Sequence, residues 1–244
     1  MRRIVVIGAT SLIAQHVVRQ WISSEPAELH LVGREAVRLH AVARDLEVRS
    51  AGTTATTHVV DLLDLNAVEA LAAELTESPV DLLLVAHGAL PSQEACQEDR
   101  ALALRSLLVN GNSAVLVVES FIARMDPRWK SSVVVIGSVA GDRGRRTNYV
   151  YGAAKAMVAT YMGGLQHRLA DTSIKVVLVK PGPTATPMTS GLGMGRLASP
   201  ERVATEIVKG VERGAPVVYA PPVWRVIMLV IRHLPRFVFN KLSI

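Results

Sequence analysis

Tyr151 and Lys155 stand four residues apart, and Ser138 precedes the tyrosine by thirteen. On a helix, positions i and i+4 share a face, so the phenol and the ammonium point into one cleft. A free phenol has a pKa of about 10 and is a sluggish acid or base near neutrality. A cation held close to it favours the phenolate and brings the group toward its working range. Ser138 follows the apolar run Val133-Val134-Val135-Ile136-Gly137, which places it where a buried strand ends and a cleft opens. Its hydroxyl is then able to donate to the same carbonyl oxygen that Tyr151 protonates. Acid, tuning cation and polarising hydroxyl are the parts needed to reduce a carbonyl.

These side chains need a scaffold, and the chain supplies short Val/Ile/Leu runs with helical segments between them. The runs fall at approximately 3–7, 28–32, 57–60, 80–86, 132–137, 174–180 and 216–220. Continuous apolar runs of this kind indicate parallel strands buried on both faces. Ile13, Val17 and Trp21 recur at helical spacing in the first intervening segment. Ser199-Pro200-Glu201 opens a late helix that ends at Gly214, matching the cap, proline and glycine asymmetry of helix ends. The expected fold is α/β: a single doubly wound Rossmann-type domain, a seven-stranded parallel sheet with helices on both faces. Ligands in such folds sit at the carboxyl ends of the strands. The domain is expected over residues 1–221, with 222–244 a basic amphipathic segment packed on or extending it.

Bulk composition narrows the function classes. The chain has 244 residues, half of them apolar and only 4% aromatic, so the core is built from Val, Leu, Ile and Ala. A single cysteine, Cys96, rules out an internal disulfide and fits a reducing cytoplasm; it reads as a small apolar residue on a helix. The stretch after Met1-Arg2-Arg3 is too short for a signal peptide and runs into a glycine turn, so it reads as a strand. A net charge of +6 and a pI near 9.8 raise the question of nucleic acid, but no recognised motif and few stacking aromatics support it. The histidines lack ligand-like spacing, so no metal site is expected, and His87 reads as packing.

A nucleotide site is expected at the end of the first strand, where Gly8-Ala9-Thr10-Ser11-Leu12-Ile13-Ala14 feeds a helix. A glycine there permits a tight turn, and the helix N-terminus presents free amides to a pyrophosphate. Gly33-Arg34 closes the second strand, where an acidic residue normally holds the adenosine ribose of NAD. With no carboxylate at that place, Arg34 is available to a 2′-phosphate or is simply solvated, which favours NADP(H) slightly over NAD(H). Asp61-Leu62 ends the third strand, with Asp61 either accepting from an adenine amino group or capping the next helix. Ala86-His87-Gly88 ends the fourth and lets backbone approach the adenosine closely.

With Asn110 added, the constellation Ser138, Tyr151 and Lys155 resembles the short-chain dehydrogenase/reductase family over nearly the whole chain. The resemblance implies that Lys155 also binds the nicotinamide ribose and that Asn110 holds a water in a proton relay. It also implies that Pro181-Gly182-Pro183-Thr184-Ala185-Thr186 holds the nicotinamide, with Thr184 and Thr186 near its carboxamide. Family members often form dimers or tetramers through two long central helices, so a homo-oligomer is expected. Leu12 and Ala14, where the family has glycines, and Ala86-His87 depart from the pattern.

A narrower resemblance rests on the basic run Arg143-Gly144-Arg145-Arg146 before the tyrosine and on the C-terminal pattern from Ala220-Pro221-Pro222 to Ser243-Ile244. Both are similar to decaprenylphosphoryl-2-keto-erythro-pentose reductases, whose reaction is usually written with NADH. That likeness implies a lipid-linked keto-sugar substrate, an upstream oxidase that supplies it, and an arabinofuranosyl donor for cell-wall arabinan as product. Arg143, Arg145, Arg146, Arg225 and Arg232 are the candidate substrate contacts.

The tail suits such a substrate. Arg213, Arg225, Arg232, Arg236 and Lys241 are joined by no Asp or Glu, and the apolar stretch Val226–Ile231 is far below the ~20 residues of a spanning helix. If 223–236 is helical, Arg225, Arg232 and Arg236 fall within about 40° of one another, with Val226, Leu229 and Val230 elsewhere. A basic amphipathic segment of this kind lies in a membrane interface, unless it is a last helix packed on the sheet with a solvated arginine edge. Pro235 would remove Arg236 from the stripe. Three readings therefore stand: a ketoreductase of a polyprenyl-phosphoryl 2-keto-pentose at the inner membrane face, a soluble reductase of a lipid-like, acyl or small ketone, and a nucleotide-sensing module without chemistry.

Overall fold

The computed structural model describes residues 1–190 and 197–242, so the last two residues of the C-terminal pattern lie outside it. Seven strands form one parallel sheet: β1 (Arg2–Ile7), β2 (Ala27–Gly33), β3 (Thr54–Val59), β4 (Leu82–Val85), β5 (Ser131–Ile136), β6 (Ile174–Pro181) and β7 (Val217–Ala220). The helices are α1 (Leu12–Ser24), α2 (Ala36–Arg49), α3 (Leu65–Leu75), α4 (Gln93–Glu98), α5 (Arg100–Leu107), α6 (Ser113–Ile122), α7 (Tyr149–Arg168), α8 (Pro200–Glu212), α9 (Val223–His233) and α10 (Arg236–Phe239). A π-turn over Leu108–Asn112 joins α5 to α6, and a 3₁₀ turn over Val139–Gly141 follows β5.

The strand order is β3-β2-β1-β4-β5-β6-β7. The order reverses between β1 and β4, and the crevice above that point is where an open α/β sheet binds ligands. Alternate residues of the inner strands feed two separate cores. Ile4, Val6, Leu29, Leu31, Leu82 and Leu84 meet α1, α2 and α8, while Val5, Ile7, Leu83, Val85, Val133 and Val135 meet α3, α6 and α7. A parallel strand must be apolar at every position because both of its faces are covered.

Arg100–Ile122, a continuous helical run of 23 residues, is long and apolar enough to cross a membrane by length and composition. Ala114, Val117, Val118 and Phe121 from this run are buried in the second core, and such burial is what a core helix of an α/β sheet shows. The expected helix over 223–236 ends at His233; Pro235 breaks it and Arg236 starts α10, so Arg236 leaves the stripe. The outer face of α9 differs from the amphipathic expectation. Val223, Val226, Leu229 and Val230 are exposed, and Met228 is buried against the domain, so the helix is apolar on both sides with Arg225 and Arg232 on one edge.

Candidate active site

One cavity of about 350 Å³ opens at the carboxyl ends of the strands. At one end lies the turn between β1 and α1, formed by Gly8, Thr10, Ser11, Leu12 and Ile13. Gly8 adopts φ +81°, and a Cβ there would stand 2.5 Å from the backbone nitrogen of His87. Only glycine makes this turn while the β4 loop presses so close. Ser11 caps α1, its Oγ accepting from the backbone of Ala14, and Ser11, Leu12 and Ile13 at this helix start line the cavity end. The glycine-poor sequence of this turn therefore builds the cradle with one glycine and a helix cap. The residues fit a dinucleotide: a helix N-terminus for pyrophosphate, and Arg34, Asp61, Leu62, Ala86 and Gly88 along the adenosine side.

Arg34 lines this end as expected, and two further residues join it. Glu35 and Arg38 also line the cavity and pair with each other at 3.0 Å. The carboxylate missing at position 34 is thus present one residue later, balanced by a second arginine. Arg38 lies within the first turn of α2, three residues after the N-cap Glu35, and a helix start brings i and i+3 to the same edge. Asp61 does not cap α3, a role taken by Asp64; its Oδ1 instead accepts from Leu63 N at 3.1 Å.

His87 is held by Ser113, whose Oγ lies 2.8 Å from Nε2 and itself donates to the carbonyl of Val109. Nε2 must then carry the proton. Burial, with the Lys155 and Arg34 charges, pushes the imidazole down to about 3, so it stays neutral and packs the cavity wall.

Ser138, Tyr151 and Lys155 meet at the other end of the cavity. β5 delivers Ser138, which caps the 3₁₀ turn by accepting from Ala140 N at 3.0 Å. That turn packs on α7, whose first turn carries Tyr151 and whose second carries Lys155. The packing is tight: a Cβ on Gly141 would stand 2.7 Å from the Lys155 carbonyl. Burial pushes the Tyr151 phenol up to about 12, with hydrogen bonding to Ser138 pulling the other way. Burial also drives Lys155 down to about 8.

The expectation that the lysine lowers the phenol is not met here. The ammonium is itself stripped of water, donates to the Ile136 carbonyl at 3.1 Å, and stands 5.8 Å from the tyrosine ring centroid. Desolvation is the leading cause of both shifts. The outcome still serves proton donation: a phenol that is protonated at neutral pH beside an amine near its titration point.

Asn110 is wholly buried in the π-turn and does not line the cavity. Its Oδ1 accepts from Ala89 N at 2.9 Å, and its Nδ2 donates to Ala89 O at 2.8 Å and Ser106 O at 2.9 Å. The side chain therefore clamps the loop after β4, rather than offering a free amide to a relay water. Gly88 sits inside this clamp, with Asn110 Oδ1, Lys155 Nζ and Met188 around it.

Pro181, Gly182, Thr184 and Thr186 line the cavity after β6, joined by Pro187, Met188 and Thr189. The Thr184 hydroxyl donates to the Gly182 carbonyl at 2.9 Å, and Thr189 Oγ1 donates to Thr184 O at 2.6 Å, so these groups brace the segment from within.

The five candidate arginines separate. Arg145 lines the cavity; Arg143, Arg146, Arg225 and Arg232 do not. Arg143 donates to the carbonyls of Ile231 and Leu234, the second at 2.7 Å, and lies over the Phe239 ring. Carbonyls at a helix end lack intrahelical donors, and this arginine supplies them for α9. Arg232 stands beside Tyr219, whose hydroxyl donates to Asp142 at 2.8 Å, and Asp142 also pairs with the buried Lys180. The basic run and the tail are thus partly explained by each other: α9 is tied to the loop that follows Ser138. The Trp224 indole completes the seat by lying against Gly182.

Known proteins agree with this architecture. The family model described as short chain dehydrogenase matches residues 2–196. An uncharacterised oxidoreductase of Mycobacterium tuberculosis is 32% identical over 243 residues, covering 98% of this chain and 96% of the relative. Among solved structures, a short-chain dehydrogenase from Sphingobium yanoikuyae in complex with NADPH superposes with a TM-score of 0.82 at 22% identity, covering 97% of both chains. The bulky-bulky ketone specific alcohol dehydrogenase of Comamonas testosteroni gives 0.79 at 22% identity, over 97% of this chain and 96% of that one. With Ser138, Tyr151 and Lys155 gathered beside a nucleotide cradle, the chain belongs to the short-chain dehydrogenase family and is a nicotinamide-dependent oxidoreductase.

Proposed function

We propose that this chain reduces a ketone with NAD(P)H, and that its ketone is a polyprenyl-phosphoryl 2-keto-pentose. The observation that carries the reduction is the convergence of Ser138, Tyr151 and Lys155 on the cavity that begins at the Gly8 turn. The reduced nicotinamide, when bound, supplies hydride to the carbonyl carbon. Tyr151 gives its proton to the carbonyl oxygen, and Ser138 orients and polarises that oxygen. Lys155 holds ribose and returns a proton to the tyrosine. Asn110 keeps the β4 loop in place behind them. Arg34 and Arg38 favour NADP(H), while Glu35 leaves a route to NAD(H).

Two features support a lipid-linked substrate. Arg145 places a cation on the cavity wall, and Leu90, Val109 and Met188 give the cavity an apolar flank. The exposed face of α9, continued by Phe237, is apolar and bordered by Arg225, Arg232, Arg236 and Lys241, with no Asp or Glu between Arg213 and Ile244. A second copy docked on this face would oppose like charges, whereas an anionic lipid surface complements them. Peripheral contact with the inner membrane face follows. Leu104, Leu116 and Met157, exposed on α5, α6 and α7, offer a separate surface for a homo-oligomer. A 2-keto-pentose must come from an oxidase acting on the C2 hydroxyl, and the reduced product would serve as an arabinofuranosyl donor for cell-envelope polysaccharide.

The second reading is a soluble reductase of a bulky ketone, favoured by the apolar flank and by what the Comamonas alcohol dehydrogenase is named for. Steady-state oxidation of NADH and NADPH, with a lipid-linked 2-keto-pentose and with soluble ketones, separates the two. Tyr151→Phe should lower turnover by about 10²–10⁴-fold while cofactor binding persists. Unchanged turnover in that variant would remove Tyr151 from the chemistry.

A further inference from the structure

Three arginines precede α7, and only one of them meets the cavity. Arg143 is spent on the carbonyls that end α9. Arg146 is exposed and stands off the cavity lining. Arg145 lines it, and its Nε is shut off from solvent with no hydrogen-bond partner. No carboxylate pairs with it among the described residues, and burial holds its pKa below the ordinary arginine value. A partly desolvated cation without a counter-charge is an unfavourable thing for a fold to keep. An arginine remains charged regardless, so an anion entering the cavity would relieve that cost.

Asn148 repeats the pattern with the opposite polarity. It lines the same cavity, it makes no side-chain bond to the start of α7, and its Oδ1 is buried without a donor. Its backbone N–H donates to the Arg145 carbonyl at 3.1 Å, so the two residues share one tight turn. Tyr151 follows three residues later. An unpaired guanidinium Nε and an unpaired amide oxygen, both shut off from solvent on the cavity that holds the proton donor, describe the complement of what is to be reduced.

We infer that Arg145 and Asn148 form a substrate subsite for an anionic, hydroxylated ketone, with Arg145 meeting a phosphate or carboxylate and Asn148 Oδ1 accepting from a hydroxyl. The inference rests on the ketoreductase reading but not on any lipid. It predicts that anion recognition is local to the turn before Tyr151, not spread over the basic run.

The test is calorimetric titration of the NADPH-saturated protein, so that the cofactor's own phosphate sites are filled. Phenyl phosphate and benzoate are the anionic probes, benzyl alcohol the neutral control, and glycerol 3-phosphate the hydroxylated one. One or both anions should bind at least about tenfold more tightly than benzyl alcohol, and the better of the two identifies the group. Arg145→Gln should weaken that anion by about 10–100-fold, as expected for a charge-assisted pair. Arg145→Lys should recover part of the loss, and Arg146→Gln should stay within about twofold of wild type. Asn148→Ala should weaken glycerol 3-phosphate more than phenyl phosphate. Unaltered NADPH affinity in each variant reports an intact fold. Equal binding of anions and benzyl alcohol, or equal losses in Arg145→Gln and Arg146→Gln, overturns the subsite. A wild type that binds the anion through Arg145 yet reduces no ketone would instead overturn the ketoreductase reading.

Discussion

Lys155→Met should make the protein more stable near pH 7 while removing its activity. The lysine is 3% exposed, and burial lowers its pKa from 10.5 to about 8. Below pH 8 it is charged in both states, and the full penalty of burying that charge applies. As pH rises from 8 toward 10.5 the folded lysine is already neutral while the unfolded one still binds a proton, so the penalty is progressively relieved. A shift of this size corresponds to about 3 kcal/mol near pH 7 and to under about 1 kcal/mol near pH 10. Methionine keeps the length and fits an apolar wall, but it forfeits the hydrogen bond to Ile136 O, which returns about 1–2 kcal/mol at either pH. The variant should therefore gain about 1–2 kcal/mol at neutral pH, seen as a Tm rise of roughly 3–6 °C. Its advantage over wild type should shrink by about 2 kcal/mol by pH 10. Urea unfolding of the cofactor-free proteins at both pH values measures this. A stability difference independent of pH would show that Lys155 is not held as a strained cation, and the account of the catalytic end would fall with it.

Three further outcomes are expected. Asp142→Asn leaves the Lys180 ammonium buried without its partner and should destabilise the fold by about 3–5 kcal/mol in urea; a loss below about 1 kcal/mol would mean the pair is solvated. Arg34→Ala should raise the Kd for NADPH about tenfold and leave NADH nearly unchanged, as titrated by cofactor fluorescence; equal effects on both coenzymes would assign Arg34 to the solvent. Leu229→Glu, on the exposed face of α9, should abolish sedimentation with phosphatidylglycerol-containing vesicles and leave NADPH binding intact. Wild-type protein that fails to sediment with those vesicles would rule out the membrane face.

Much of the fold is local information. The inner strands must be apolar at successive positions because helices cover both sides, so the Val/Ile/Leu runs revealed them within a few residues of their ends, while the edge strand β3, Thr54–Val59, is largely polar and showed only its last residues. The catalytic types are legible for the same reason: Tyr151 and Lys155 share a helix face, and Ser138 terminates a strand. Arg38 and Asn148 were not legible, because nothing in their neighbourhoods marks them; only the assembly of α2 and of the turn before α7 around one cavity does.

The chemistry of this protein was written in residue types and spacing, because helical and strand periodicities are properties of the chain itself. Protonation and loyalty of charge were not. Whether the lysine lowers the phenol depends on how much water each has lost, and desolvation is set by packing from distant segments. Three neighbouring arginines look alike in sequence, yet one ends a helix 88 residues away, one is exposed, and one lines the cleft with its Nε unpaired. Which partner a charge finds is decided by the tertiary structure, since carbonyls and carboxylates remote in the chain compete for it only after the chain has folded.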